Sequence, residues 1–176
     1  MNERKKSMER EQIVSVVRDW LDANDWNYEY DAEYHYITSG ITCGGKFQAV
    51  RLLVAFSEYS YSVYTIAPLA CEQEYMDELN RYMSYLNFTL QNGYFSIDMR
   101  DGEIRYKIFV NCDDLEQLPD VIIRDSILLG ALMMNKYETA IAGVALGFSD
   151  AKTEIKKLEG DDDDMEDTDD DAGAEE

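Results

Sequence analysis

The fold class is decided by residues 72–110, which read EQEYMDELNRYMSYLNFTLQNGYFSIDMRDGEIRYKIFV. The first half places apolar residues at helical spacing on one broad face: Tyr75, Met76, Leu79, Tyr82, Met83, Leu86 and Leu90. Asn92-Gly93 predicts a left-handed end to that helix. The second half alternates apolar and polar residues around Asp101-Gly102, which favours a β-hairpin with a type I′ turn. The stretch therefore predicts a helix followed by a hairpin.

Within this hairpin, the alternation predicts which side chains face the core. We expect the inward set to be Phe95, Ile97, Met99, Ile104, Tyr106, Ile108 and Val110. The residues between them are polar or charged, as is typical of a sheet with one buried face.

Upstream, residues 8–23 predict an amphipathic helix whose apolar stripe contains Ile13, Val16, Val17, Trp20 and Leu21. The period then changes from helical to alternating. Three extended runs follow at residues 34–42, 46–56 and 61–67, and Pro68 ends the last of them. They predict a three-strand antiparallel meander, or a four-strand one if residues 28–30 pair separately.

Downstream, residues 119–148 predict one long helix or two stacked helices. Between Ser126 and Asn135 apolar residues surround the helix, so it requires cover on more than one side. Either residues 137–158 fold back over it or another subunit covers it. The order of helix, meander, helix, hairpin and helix predicts an α+β fold, with one twisted antiparallel sheet and helices packed on it.

The chain is strongly acidic, with a formal net charge of -21 over 176 residues. Residues 160–176 carry acidic side chains and no basic one, which predicts a disordered tail after a domain at residues 8–159 and an extension at residues 1–7. A chain this negative repels phosphate backbones, so we expect no nucleic-acid partner. The acidic run lacks prearranged ligands, so we expect no metal site there.

The cellular location is predicted from targeting and membrane-spanning signals, which the sequence does not show. The N-terminus alternates basic and acidic residues without an apolar run, unlike a secretory signal. The most apolar window, residues 126–135, is shorter than the ~20 residues that span a bilayer. Cys43, Cys71 and Cys112 are widely spaced and odd in number, which is typical of reduced thiols. We expect a cytoplasmic protein that does not associate with membranes.

Catalysis has little support in the sequence. His35 is the only histidine, and the alternation places it on the solvent side of a strand. A cryptic hydrolase that pairs Cys43 or Cys71 with His35 is an alternative hypothesis. Gly44-Gly45-Lys46 lacks the spacing of a phosphate-binding loop and is interpreted as a hairpin turn. We expect no catalytic site, no cofactor and no bound metal.

A family resemblance rests on residues 78–87, ELNRYMSYLN, followed by Leu90, Gly93, Phe95 and Asp101-Gly102-Glu103. The end of the first helix at Trp26-x-Tyr28 also contributes, as do residues 133–137 with Ala140-Ile141. Together these motifs resemble the YbjN family, whose fold is similar to that of the class I type III secretion chaperones. The resemblance covers residues 8–148. It implies a small bacterial protein that is non-enzymatic, usually dimeric and regulatory or chaperone-like in function.

Tyrosines are concentrated in the meander: Tyr28, Tyr30, Tyr34, Tyr36, Tyr59, Tyr61 and Tyr64. Tyrosine is favoured at protein interfaces because it combines a large contact area with a polar tip. Ordinary packing of these rings under a helix is the alternative interpretation. We predict that a protein or peptide partner binds Tyr34, Tyr36, Tyr61 and Tyr64.

Apolar surface on the helices predicts a homodimer, with Leu79, Met83 and Leu86 at its interface. The predicted function is a non-enzymatic, chaperone-like or regulatory protein-binding domain. The alternative is an adaptor subunit of a larger assembly that docks through its C-terminal helix.

Overall fold

The structure, a computed structural model, describes residues 7–166 and the side chains of residues 7–160. Within these residues it contains four α-helices and six β-strands. The helices are α1 (Arg10–Ala23), α2 (Met76–Thr89), α3 (Asp120–Ala145) and α4 (Ala151–Glu166). The strands are β1 (Tyr28–Asp31), β2 (Tyr36–Thr42), β3 (Ala49–Phe56), β4 (Ser60–Ala70), β5 (Tyr94–Ile97) and β6 (Glu103–Asn111).

The six strands form one sheet in the order β1-β2-β3-β4-β6-β5, and every neighbouring pair is antiparallel. The predicted α+β class is therefore confirmed. β1 pairs with β2 as a separate strand, so the meander has four strands. The predicted end at Pro68 is wrong, because β4 continues to Ala70 across an irregularity in its pairing with β6. A proline is tolerated at such a point because no ladder hydrogen bond from its nitrogen is needed.

One face of the sheet is covered by helices. α1, α2 and α3 contact the strands directly, and α4 packs against α2. Partners across the ladders share a face, so the buried row Ile37, Val54, Val63 and Ile108 marks the covered side. The hydrophobic core lies between this face and the helices.

α1 begins at a capping box, in which Glu9 and Gln12 exchange side-chain and backbone hydrogen bonds. Its predicted stripe is confirmed, since Ile13, Val17 and Leu21 are fully buried and Val16 and Trp20 are half-buried against the core.

α3 is a single helix that crosses β4 and β6. Gly130 lies directly on the buried side chain of Thr65, and a Cβ at position 130 would overlap Thr65 Oγ1. The missing side chain lets the helix approach the sheet closely.

α4 follows a turn at Gly147, whose φ is +72°. The backbone N–H of Ala151 donates to Glu78 Oε2 at 3.2 Å, which anchors the start of α4 on α2. The chain after residue 137 therefore does not fold back over the outer side of α3, and that alternative is wrong. α4 runs to Glu166, into the start of the predicted tail. Residues 1–6 and 167–176 lie outside the described residues.

The loop between β2 and β3 is held by α3. The buried carboxylate of Glu138 accepts hydrogen bonds from the backbone N–H groups of Lys46 at 2.7 Å and Phe47 at 2.9 Å. Gly45 lies so close to Glu138 that a side chain would collide with it. The interpretation of Gly44-Gly45-Lys46 as a connection between two strands is confirmed.

Two details of the hairpin differ from the predictions. The five-residue connection 98–102 has a positive φ at Gly102 (+76°) but not at Asp101, so it is not a type I′ turn, which requires both. Met99 lies in this connection and is 54% exposed, so its predicted inward orientation is wrong. The helix before the hairpin ends at Thr89, and Gly93 adopts its positive φ of +74° only after that end.

No helix within residues 7–166 combines the length and the apolar character that crossing a bilayer requires.

Candidate protein-binding surface

The sheet face opposite the helices, here called the open face, is defined by strand register. One row across it contains Tyr36, Ala55, Ser62 and Phe109, and the next contains Thr38, Leu53, Tyr64, Lys107 and Tyr94. None of these nine side chains is packed under a helix, because the helices occupy the other side of the same ladders. The open face is therefore a flat surface rich in tyrosine and aliphatic carbon.

Three of the four predicted binding tyrosines belong to this face. Tyr34, Tyr36 and Tyr64 line the same shallow depression of about 580 Å³, together with Leu53 and Ala55. Tyr34 lies in the β1–β2 turn and is 70% exposed. The structure thus brings Tyr34, Tyr36 and Tyr64 together, although Tyr64 lies on β4 and the other two lie at or just before the start of β2.

Tyr36 keeps its phenol proton well above neutral pH. The carboxylate of Asp31, which lies opposite Tyr36 across the β1–β2 ladder, raises the pKa of this tyrosine. Asp31 also accepts a hydrogen bond from this phenol, which leaves the Tyr36 oxygen as an acceptor.

Tyr61, the fourth predicted binding residue, does not lie on this face. It is 1% exposed on the covered side, and its hydroxyl lies 3.0 Å from Ser126 Oγ of α3. Burial raises the pKa of Tyr61 to about 12, against the opposing effect of the Ser126 hydrogen bond. The prediction is wrong because residues 61 and 64 are three apart on one strand and so point to opposite faces.

Charges on the open face are largely paired with one another. Arg51 Nη2 lies 2.6 Å from Glu103 Oε2, and Arg105 contacts the carboxylates of both Glu103 and Asp98. The ammonium of Lys107 lies 5.3 Å from the ring centre of Tyr64. These ion pairs compensate the charges on the central strands, while the carboxylates of Glu29 and Asp31 lie on the same face at β1.

The predicted dimer residues Leu79, Met83 and Leu86 are covered by their own chain. Their exposures are 0%, 1% and 1%, and all three belong to the core under α2. They cannot contact a second subunit unless the fold opens, so this assignment is wrong. The apolar stripe of α2 fits the sheet and neighbouring helices of the same chain.

His35 is placed far from both thiols considered with it. It lies at the end of the β1–β2 turn with a φ of +55°, not within a strand as predicted. Cys43 follows the opposite end of β2, about 25 Å away at the usual rise of an extended strand. Cys71 follows the far end of β4, where its N–H donates to Gly102 at 2.9 Å. No Cys–His dyad is formed by these residues.

The thiols themselves are not activated. Burial raises the pKa of Cys71 and of Cys112 to about 11, and burial together with Glu138 raises that of Cys43. A nucleophilic cysteine needs the opposite shift. Within the described part of the chain, no group of three or more acidic, histidine or cysteine side chains has the geometry of a metal site; the acidic run considered for cation binding lies largely outside it.

Sequence reasoning missed several residues of the open face. Phe109 is 61% exposed and Tyr94 is 43% exposed, and both lie on it beside Lys107. The alternation that placed Ile108 and Val110 inward already put Phe109 on the other side. Tyr94 had the same signal, because it precedes the inward Phe95.

Comparison of the chain with protein-family models, with curated proteins and with solved structures found no match. The resemblance to the YbjN family therefore stays a prediction.

Proposed function

We propose that this protein is a non-catalytic, polypeptide-binding domain of chaperone-like or regulatory type, which acts as a cytoplasmic homodimer. Its open face holds an extended apolar or aromatic segment of a partner polypeptide. The proposal is supported by one observation above all: helices cover one face of a six-stranded sheet, and tyrosine and aliphatic side chains line the other.

The chemistry of the open face favours a polypeptide over a small charged ligand. Tyrosine rings give contact area at low entropic cost and keep a polar tip for backbone groups. The carboxylates of Glu103 and Asp98 compensate the guanidinium groups of Arg51 and Arg105, so apolar and aromatic contacts dominate recognition. The depression, which Arg51, Glu103 and Arg105 line together with the tyrosines, is shallow and wide, unlike the concave pocket that encloses a substrate.

The adaptor alternative has weaker support. It requires the C-terminal helix predicted over residues 119–148, which is α3, to dock on a different protein. The outward side of α3 is apolar, with Val121 48% and Leu132 61% exposed, but nothing on it favours a partner of another kind over a second copy. α4 adds no apolar face, because Ala151, Glu154, Ile155 and Leu158 are its less exposed side chains while Lys152, Lys156 and Lys157 are exposed.

A direct test uses a soluble, permanently unfolded polypeptide, reduced and carboxymethylated so that it cannot refold. Binding is measured by fluorescence anisotropy and mapped by NMR chemical-shift changes on the full chain. We expect shifts at Tyr36, Leu53 and Tyr64. The double substitution Tyr36→Ser with Tyr64→Ser should weaken binding about tenfold or more, because two aromatic anchors are lost.

Phe88→Ser is the matched control, since Phe88 is 91% exposed on α2 and lies away from the open face. It should leave the affinity unchanged. Shifts confined to the helices, or equal affinity of the double variant and the wild type, would contradict the proposal.

A further inference from the structure

The outward side of α3 carries an apolar stripe. Val121, Leu128 and Leu132 share one line along the helix, opposite the buried Ile123, Ile127 and Met134. Leu132 is 61% exposed and Val121 is 48% exposed. Leu128 is half-buried against the core, whereas no described element covers Val121 and Leu132.

A hollow of about 240 Å³ adjoins Leu132. Its lining is mostly apolar and joins the end of β2 to α3: Ile41, Thr42, Cys43, Gly44, Leu128, Ala131, Leu132 and Asn135. The hollow extends the apolar surface of the stripe to the end of β2.

Charged residues bracket the stripe. Asp125 lies toward the start of α3, where its Oδ1 accepts from Arg124 Nε of the same chain at 2.9 Å, and its side chain is still 60% exposed. Lys136 lies toward the end, and its ammonium sits 5.1 Å from the ring centre of Tyr137. Among the described side chains, no carboxylate lies within salt-bridge distance of Lys136. The ten residues between Asp125 and Lys136 are uncharged.

This arrangement is complementary to itself. Consider a second α3 that lies antiparallel on the outward side, related by a two-fold axis at the height of Gly130 and Ala131. Asp125 then faces the partner's Lys136, and Leu132 faces the partner's Leu129. A two-fold interface makes each such contact twice. A parallel copy would instead place Lys136 against the partner's Lys136, and no carboxylate would pair with either.

We infer that a second copy of this chain packs antiparallel along the outward side of α3, with Leu132 at the centre of the seam and Asp125 paired with the partner's Lys136. The inference rests on the homodimer in the proposed function but not on the peptide-binding role of the open face. It also suits the acidic character of the protein: two chains of net charge -21 repel each other, and an uncharged seam with paired ends minimises that repulsion.

The first experiment is size-exclusion chromatography with light scattering on the full chain at 5–100 µM, a range set by ordinary homodimer affinities of roughly micromolar. We expect twice the 20.3 kDa chain mass for the wild type. Leu132→Asp should raise the dissociation constant about tenfold or more, because it buries a carboxylate in an apolar seam. Phe88→Asp places the same charge at an exposed position on α2 and should leave the dimer intact.

The second experiment tests direction and register. Asp125→Lys and Lys136→Asp should each weaken the dimer several-fold, because two attractive pairs become two repulsive ones. Mixing the two variants should restore dimers, since in the mixed dimer both cross-seam pairs are again of opposite charge. Circular dichroism verifies that each variant is folded.

The outcomes separate the two ideas. A wild-type monomer at 100 µM, above the roughly micromolar range of ordinary homodimers, would overturn both the homodimer and this seam. A dimer that is insensitive to Leu132→Asp would overturn the seam alone, and a mixture no better associated than the single variants would overturn the antiparallel pairing. Binding of the unfolded polypeptide by the Leu132→Asp variant reports on the open face independently.

Discussion

Asn87 pairs with the backbone of Phe95 through both ends of its amide. Its Nδ2 donates to the Phe95 carbonyl at 2.9 Å, and its Oδ1 accepts the Phe95 N–H at 2.8 Å. The side chain at the end of α2 thus takes the place of a neighbouring strand for the first residues of β5. This geometry fixes the angle between the helix and the hairpin.

Asn87→Ala is expected to lower the free energy of unfolding by about 1–3 kcal/mol, because both backbone groups of Phe95 lose their partner. Urea denaturation measures the change. Asn80→Ala, at an exposed position of the same helix, is the control and should change stability little. Equal stability of the two variants would contradict the role of the Asn87 pair.

Glu138→Ala is expected to release the β2–β3 loop. The substitution removes the acceptor for the N–H groups of Lys46 and Phe47, at a cost of about 1–3 kcal/mol. Glu138→Gln keeps one acceptor oxygen and should cost less. Hydrogen exchange at residues 46 and 47 should accelerate in the alanine variant. Thr139→Ala, next to it on the exposed side of α3, should leave that exchange unchanged.

Gly130→Ala is expected to push α3 away from the sheet, because a methyl group would overlap Thr65. Overpacking of this kind costs about 1–3 kcal/mol. Gly143 lies on the same helix, where a Cβ would meet Ser149 Cβ at an ordinary 3.5 Å. Gly143→Ala should therefore be neutral or stabilise the helix by up to about 1 kcal/mol. Thermal unfolding of both variants gives the comparison, and a stable Gly130→Ala protein would disprove the tight contact.

The thiols are expected to react slowly with a disulfide reagent at pH 8. The pKa values of about 11 for Cys71 and Cys112 leave a thiolate fraction roughly a hundredfold below that of an ordinary cysteine. Cys43 is only half-buried and should react first. The chain unfolded in urea, where all thiols are accessible, sets the reference rate. Fast labelling of Cys71 in the folded protein would instead support the hydrolase hypothesis.

Asp98 is expected to contribute to the loss of folding stability at acid pH. The guanidinium of Arg100 bonds its carboxylate at 2.6 and 2.9 Å and holds the pKa of Asp98 well below its usual range. Because the folded value is the lower one, the stabilisation is complete above the unfolded pKa of about 3.9 and is lost as pH falls below it. Asp98→Asn should flatten the decline of stability between about pH 4 and pH 2. Urea unfolding across this range is the measurement, with the exposed Asp19→Asn as control.

Much of the architecture was predictable because its signals are local. The alternation of Ile104, Tyr106 and Ile108 gave the hairpin faces, and the stripe of Ile13, Val17 and Leu21 gave α1; all of these side chains are buried as expected. Met99 failed because alternation was continued past the end of β5 into the connection.

The candidate site was only partly predictable, because it depends on pairing between strands. Tyr34, Tyr36 and Tyr64 meet on one face through the register of β2, β3 and β4, which no local pattern specifies. The burial of Leu79 and Met83 depends on how α2 packs within its own chain. An apolar stripe has the same sequence whether its own chain or another covers it.

Both outermost strands of the sheet, β1 and β5, are four residues long, whereas the inner β4 and β6 have 11 and nine. Short edge strands expose little unpaired backbone, so extension of the sheet by a strand from another chain is disfavoured. If this fold binds a polypeptide, its sequence specificity would then come from contacts with the side chains of the partner and not from backbone hydrogen bonds between strands.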